Sequence, residues 1–147
     1  GAPYWDMYAR GTIVGMTRAS GRNHIIRAAL ESIAYQTEDI LRAVSADAGI
    51  EMRDLKVDGG ASANDLLMQF QSDISGVRVI RPASAEATAR GAAYLAGISC
   101  GFWQRREDLP RLEGSVSYSP RMEAEERKRL LHGWHRAVRA ARAWAEE

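Results

Sequence analysis

The stretch 55–64, LKVDGGASAN, constrains the fold more than any other part of this chain. Leu55 and Val57 alternate with polar neighbours in the manner of a short strand, and the run stops at Asp58 before two glycines. Beyond Asn64, residues Leu66, Leu67, Phe70 and Ile74 recur at spacings that share one face of a helix. The stretch therefore reads as a strand, a tight turn and a helix start. Gly59 and Gly60 have no side chains, so backbone or ligand can come close, and a helix start offers unpaired N–H groups to an anion or polar ligand. That geometry suits a nucleotide. It also suits an ordinary connecting loop, and the pattern is neither a P-loop nor a dinucleotide-binding fingerprint.

The segments on either side supply the layers. Residues 11–16 read as a strand carrying Ile13, Val14 and Met16, followed by a reversal at Ser20 and Gly21. A long helix is predicted over 23–48, where Ile26, Leu30, Ile33, Thr37, Leu41 and Val44 share a face, with Asn23 as cap and Gly49 just past the end. Residues 53–57 give the second strand and 63–75 the next helix, closed by Gly76. Val77, Val79 and Ile80 form a third strand ended by Pro82. Ser84 then caps a helix over 85–99 with Glu86 in its first turn. Its Ala87, Ala89, Gly91, Ala92, Ala93, Ala96 and Gly97 are small enough to let it lie close against a sheet or another helix.

Residues 101–118 show no period and read as a surface loop with Phe102 and Trp103 tucked against the body. Ser119 and Pro120 mark the start of a terminal helix whose stripe is Leu130, Leu131, Trp134, Val138 and Ala141. Its basic residues are interrupted by Glu125 and Glu126 and alternate with no aromatic platform, which favours a solvated face over a nucleic-acid surface. Strands alternating with helices imply an α/β layer structure around a mainly parallel sheet. Three strands are few for four helices, and Tyr4, Trp5, Met7 and Tyr8 crowd the first ten residues. Both features lead to the expectation that the sheet is incomplete and that the chain begins inside a larger fold.

At 147 residues the chain holds one domain with a sizeable core, and 46% hydrophobic with 27% charged residues is a globular composition. A formal charge of +1 gives no global attraction to nucleic acid or acidic membranes. The single Cys100 excludes an internal disulfide and a cysteine-rich metal site. No run approaches the roughly 18 apolar residues of a membrane span and no leader is visible, so the expectation is a cytoplasmic protein without membrane insertion.

The segments Gly11-x-Ile13-x-Gly15-Met16 and His24-Ile25-x-x-Ala28-Ala29-Leu30-Glu31 resemble the C-terminal signature of the FGGY carbohydrate kinases. Further stretches, APYW, YARG, NHIIRAALESIAYQT, VDGGASAN, LMQFQSDI and GAAYLAGISCGFW, resemble the glycerol-phosphorylating branch of that family, with the likeness weakest over 104–129. The resemblance implies the C-terminal half of an actin/hexokinase-like (ribonuclease H-like) ATPase fold, with 1–147 as its nucleotide-binding domain, 104–120 a loop and 121–145 a terminal helix. It implies ATP or ADP with Mg2+ as cofactors and glycerol as the phosphoryl acceptor of the intact enzyme. An N-terminal domain absent from this chain would hold most of the glycerol contacts, and homo-oligomers fit the family. The family's nucleotide contacts fall on Gly60 and Asn64, with Gly59 letting the strand end approach the adenosine. Its catalytic base lies upstream, so the resemblance implies no catalytic residue here and no activity for the chain alone. Another FGGY sugar kinase, of xylulose or gluconate type, and a non-catalytic binding or assembly module remain as alternatives.

The remaining candidates weigh towards structure. Asp58 reads as a turn residue rather than a base or metal ligand, and His24 as a hydrogen-bonded structural histidine. His132 and His135 lie three apart on a surface helix, with no local pattern completing a metal site. Arg18 and Arg22 flank a loop near the expected cleft and are within the range of positions that assist phosphates, though surface arginines are common. Glu31 is assigned no chemistry. Two departures from the family pattern stand out. Asp65 replaces a common second asparagine and is expected to point away from phosphates, and 119–131 differs where some bacterial relatives bind a regulatory phosphotransfer protein.

Overall fold

The computed structural model describes residues 2–83, 87–110 and 114–144. Helix α1, Arg22–Ala48, is the longest element. Its first turn is closed by His24, whose Nδ1 accepts the Gly21 N–H at 3.1 Å, and this fixes the ring proton on Nε2. Asn23, the expected cap, lies inside that first turn. Gly49 ends the helix in the left-handed conformation at φ 64°.

Strand β1, Asp54–Lys56, leads through a single 3-10 turn, Gly60–Ala63, into helix α2, Asp65–Ser75. Strand β2, Arg78–Pro82, follows and pairs in parallel with β1, Leu55 opposite Val79. Helix α3, Ala87–Ser99, a second 3-10 turn and strand β3, Ser115–Tyr118, come next. Helix α4, Ala124–Ala143, completes the described chain. The sheet order is β1-β2-β3, and β3 runs antiparallel to β2 with Tyr118 opposite Val79.

The sheet is therefore mixed, not mainly parallel. The expected loop over 101–118 holds β3, which periodicity did not show because three of its four residues are exposed and only Tyr118 is buried. Residues 11–16 form no strand: Ile13, Val14 and Met16 are 63%, 47% and 55% exposed in irregular backbone. Alternation supplies propensity, but a strand exists through its neighbours, and among the described residues none pairs with this segment.

The core joins Ala34 and Tyr35 of α1, Leu67, Met68 and Ile74 of α2, Val79 of β2 and Tyr118 of β3. Tyr35 stacks parallel to Trp134 of α4 at 5.2 Å and meets Phe70 edge-on at 5.5 Å. Burial pushes the Tyr35 phenol up to about 12. The fully buried Ser72 hydroxyl lies 2.8 Å from the Val77 carbonyl and 2.9 Å from that of Tyr118, so one side chain of α2 serves both the β2 approach and the end of β3. Ser119 and Pro120 do not start α4. Instead the Ser119 carbonyl accepts from Gln69, the Arg121 N–H donates to Asp73 at 2.6 Å, and Glu123 stands at the N-cap position without a side-chain bond, its carbonyl accepting the Arg127 N–H. No described helix is long and apolar enough to cross a membrane.

Ser84 and Glu86, the expected start of α3, lie outside the described residues. The small-residue face of α3 is not buried as expected, since Ala89, Ala92, Ala93 and Ala96 are exposed. Only Gly97 is buried among its described residues, and it lies under the indole of Trp103, which Tyr94 contacts edge-on. Phe102, expected to be tucked in, is 76% exposed. A Cβ built on Gly97 overlaps the Trp103 ring. Gly97→Ala is accordingly expected to destabilise the chain by about 1–3 kcal/mol, the usual cost of overpacking, and to shift Trp103 fluorescence. Thermal melts of G97A, W103A and the double variant check this, with the double variant losing less than the sum of the singles.

Candidate functional site

The site grows from the end of β1. The Val57 N–H donates to the Ile80 carbonyl at 3.0 Å, which carries the parallel pairing one residue past the strand. Asp58 then turns outward, and Gly59 takes φ 83°, a region side-chain-bearing residues avoid. The Gly59 carbonyl accepts twice from Ser62, from its N–H at 3.1 Å and its hydroxyl at 2.7 Å. These two bonds close the 3-10 turn and bury Ser62.

Asn64 caps α2, its Oδ1 accepting the Leu67 N–H at 3.1 Å. The carboxamide nitrogen then faces outward with no hydrogen-bond partner among the described residues. Gly59, Gly60 and Asn64 are all exposed on this one turn, and a Cβ built on either glycine meets nothing within 4 Å. The turn presents open backbone, a free amide and the N-terminal end of α2 to whatever approaches.

Behind the turn is a brace that sequence reasoning missed. Arg81 of β2 donates to the Ser62 carbonyl at 2.6 Å and pairs with Asp65 at 2.9 Å. Tyr118 of β3 donates its hydroxyl to the same Asp65 oxygen at 2.6 Å, and the Arg81 guanidinium sits 5.5 Å from the Tyr118 ring centre. Hydrogen bonds from Tyr118 and then Arg81 hold the Asp65 carboxyl below its ordinary range, while burial and Asp65 raise the Tyr118 phenol. The carboxylate of Asp65 is thus engaged with the sheet and not with the open face. Local spacing gave no signal for Arg81 or Tyr118, because both reach the turn only through the sheet.

The other candidates stay apart from the turn. His24 is committed to the α1 start, and Glu31 pairs with Arg27 at 2.6 Å. Arg18 and Arg22 are exposed and make no hydrogen bond or ion pair with the turn among the described residues. A cleft between α1 and α2, lined by Arg27, Leu30, Glu31, Leu66, Leu67 and Phe70, has a volume of about 30 Å³. That is room for water, not for a nucleoside.

Residues 1–100 match the FGGY family of carbohydrate kinases, C-terminal domain. The chain belongs to this family. Over its whole length this FGGY domain is 60% identical to a glycerol kinase of Petrotoga mobilis and 57% to one of Aeromonas salmonicida, in each case spanning 30% of the relative. Among solved structures, glycerol kinase of Plasmodium falciparum with ADP superposes with a TM-score of 0.78 at 36% identity, covering 95% of this chain and 28% of that one. Xylulose kinase of Rhodospirillum rubrum superposes at 0.73 with 25% identity, covering 97% and 29%. The fold is the C-terminal half of the actin/hexokinase-like ATPase fold, with a mixed sheet that does not close.

The Asp65 brace has an acid signature. A carboxyl whose folded value lies below its ordinary 3.8 contributes stability in full above that value and loses it as pH falls towards the folded one. Asp65→Asn is expected to be less stable than the parent at pH 6.5, with the gap narrowing below about pH 4. Urea melts at pH 6.5 and pH 3 measure both, and a gap that does not change with pH shows that the ionised form is not what braces the turn.

Proposed function

We propose that residues 1–147 are the C-terminal, nucleotide-binding domain of a glycerol kinase, an enzyme that moves the ATP γ-phosphoryl group to a glycerol hydroxyl and yields sn-glycerol 3-phosphate and ADP. The observation that carries the reading is the turn: two glycines with open space before them, and an asparagine whose oxygen is spent on the helix cap while its amide nitrogen has no partner among the described residues. The choice of glycerol over another sugar rests on likeness. The glycerol kinase structure that holds ADP is 36% identical, against 25% for the xylulose kinase.

On this reading Gly59 and Gly60 admit the adenosine and its phosphates to van der Waals range, and the Asn64 amide donates to the base. The N-terminal end of α2 adds a favourable partial charge near the phosphates. Asp65 is held off that anion by Arg81 and Tyr118. ATP supplies the transferred group, and Mg2+ on its phosphates neutralises the developing charge. Phosphoryl transfer also requires an in-line nucleophile and a base, which this reading places in the part of the enzyme beyond these residues. The cleft then lies between this domain and an N-terminal partner domain, and homo-oligomers belong to the same proposal.

The two site variants separate binding from folding. Asn64→Ser keeps a good helix cap and removes the amide, so it is expected to weaken Mg-ADP about tenfold with little change in melting, roughly the worth of one hydrogen bond. Gly60→Val places its methyls in open space, so the fold stands while the nucleotide is excluded. Calorimetry of Mg-ADP with the parent chain and both variants is the test. Unaltered affinity in both variants overturns the assignment of the turn.

A further inference from the structure

We propose that Glu38 and Asp39 of α1 and His135 of α4 form a binding site for a zinc-class divalent cation, which pins the terminal helix to the body of the domain. One ligand atom from each of the three lies within 4.8 Å of the others. Neighbouring histidines on α4 gave no hint of this, because the two carboxylates come from another helix.

The three side chains differ in how they are prepared. Asp39 is 2% exposed, and its Oδ2 is taken by the Trp134 Nε1–H at 2.7 Å and the Tyr4 hydroxyl at 3.1 Å. These donors fix the carboxylate as outer partners fix a metal ligand, and they leave Oδ1 facing His135. Oδ1 lies 3.3 Å from His135 Nε2. Two ligands bound to one tetrahedral ion at about 2.0–2.1 Å sit about 3.3 Å apart, so this pair is already spaced for it. Glu38 is the independent sign. It is 6% exposed, and its Oε2 has no hydrogen-bond partner among the described residues, although buried carboxylate oxygens are ordinarily satisfied. A cation bound by Asp39 and His135 gives that oxygen a partner after a modest side-chain rotation, and water completes four-coordination.

The charges around the site are balanced. Arg42 lies 3.2 Å from His135 Nε2 and 3.8 Å from Asp39 Oδ1, and Arg127 also faces Glu38 while donating to the Ile74 carbonyl. The Arg42 side chain is 60% exposed and free to swing into solvent as the cation enters. One imidazole with two carboxylates favours zinc and cobalt over magnesium, which prefers an all-oxygen, largely hydrated shell.

The test is titration of the chelator-treated chain with Zn2+ and, separately, Co2+. One equivalent is expected to bind, Co2+ is expected to give the intense visible bands of a four-coordinate ion, and saturating Zn2+ is expected to raise the melting temperature by about 3 °C or more. Glu38→Gln and His135→Gln should each weaken binding at least tenfold, roughly the effect of losing a ligand, while His132→Gln on the exposed face leaves it unchanged. Melting each variant in chelator separates a lost ligand from a lost fold, and the isosteric E38Q decides the matter if H135Q unfolds. Absence of saturable 1:1 binding overturns the site. So does an equal loss in H132Q, which would assign the metal to the surface histidine pair.

Discussion

Three distant parts of the chain meet at the Asp39 carboxylate. Tyr4, Trp134 and His135 reach it from the N-terminal segment and from α4, across 35, 95 and 96 positions of sequence. A carboxylate withdrawn from water costs several kcal/mol unless donors replace the solvent, so the Tyr4 hydroxyl and the Trp134 N–H are conditions of its burial. Their consequence is geometric. Once Trp134 is held by its indole N–H, its ring lies flat on Tyr35, and Tyr35 in turn meets Phe70 of α2. The position of α4 is thereby transmitted through aromatic contacts to the helix whose start carries the candidate site.

Helix α2 is fixed from its other side by polar groups. Ser72 bridges towards the carbonyls of Val77 and Tyr118, and Asp73 receives the Arg121 N–H. Its first turn is fixed separately, through Asp65 to Arg81 and Tyr118. The result is a helix start that is rigid behind and open in front. Preorganisation of this kind matters for a ligand that binds backbone and amide groups, because no loop has to be ordered when it arrives.

Much of this was legible because it is local. The β1-turn-α2 unit is encoded within twenty-odd residues, where alternation, two glycines and a helical stripe agree with one another, although Asn64, expected inside the helix, is its cap. The end of α1 at Gly49 was legible for the same reason, as was a hydrogen-bonded His24 near the helix start. What escaped was carried by partners remote in sequence. β3 has one buried residue in four and owes its existence to β2, whereas 11–16 has the better strand pattern and no neighbour among the described residues. Arg81, Tyr118 and Glu38 acquire their roles only when strands or helices are placed side by side. Their residue types alone announce nothing.

The glycines show the same limit most sharply. Gly60 and Gly97 each adjoin an alanine in the sequence, Ala61 and Ala96, and composition treats them alike. In the structure they answer different needs. Gly97 is required by the fold, since the Trp103 ring occupies the space a side chain would take. Gly60 has open space where its side chain would be and does not adopt the left-handed backbone that would demand glycine. Nothing within the described fold accounts for a bare α-carbon there. Gly11, Gly21, Gly91 and Gly133 are as open, so openness alone does not call for a ligand; what sets Gly60 apart is the capping Asn64 and the start of α2 beside it, on which the proposed nucleotide site rests.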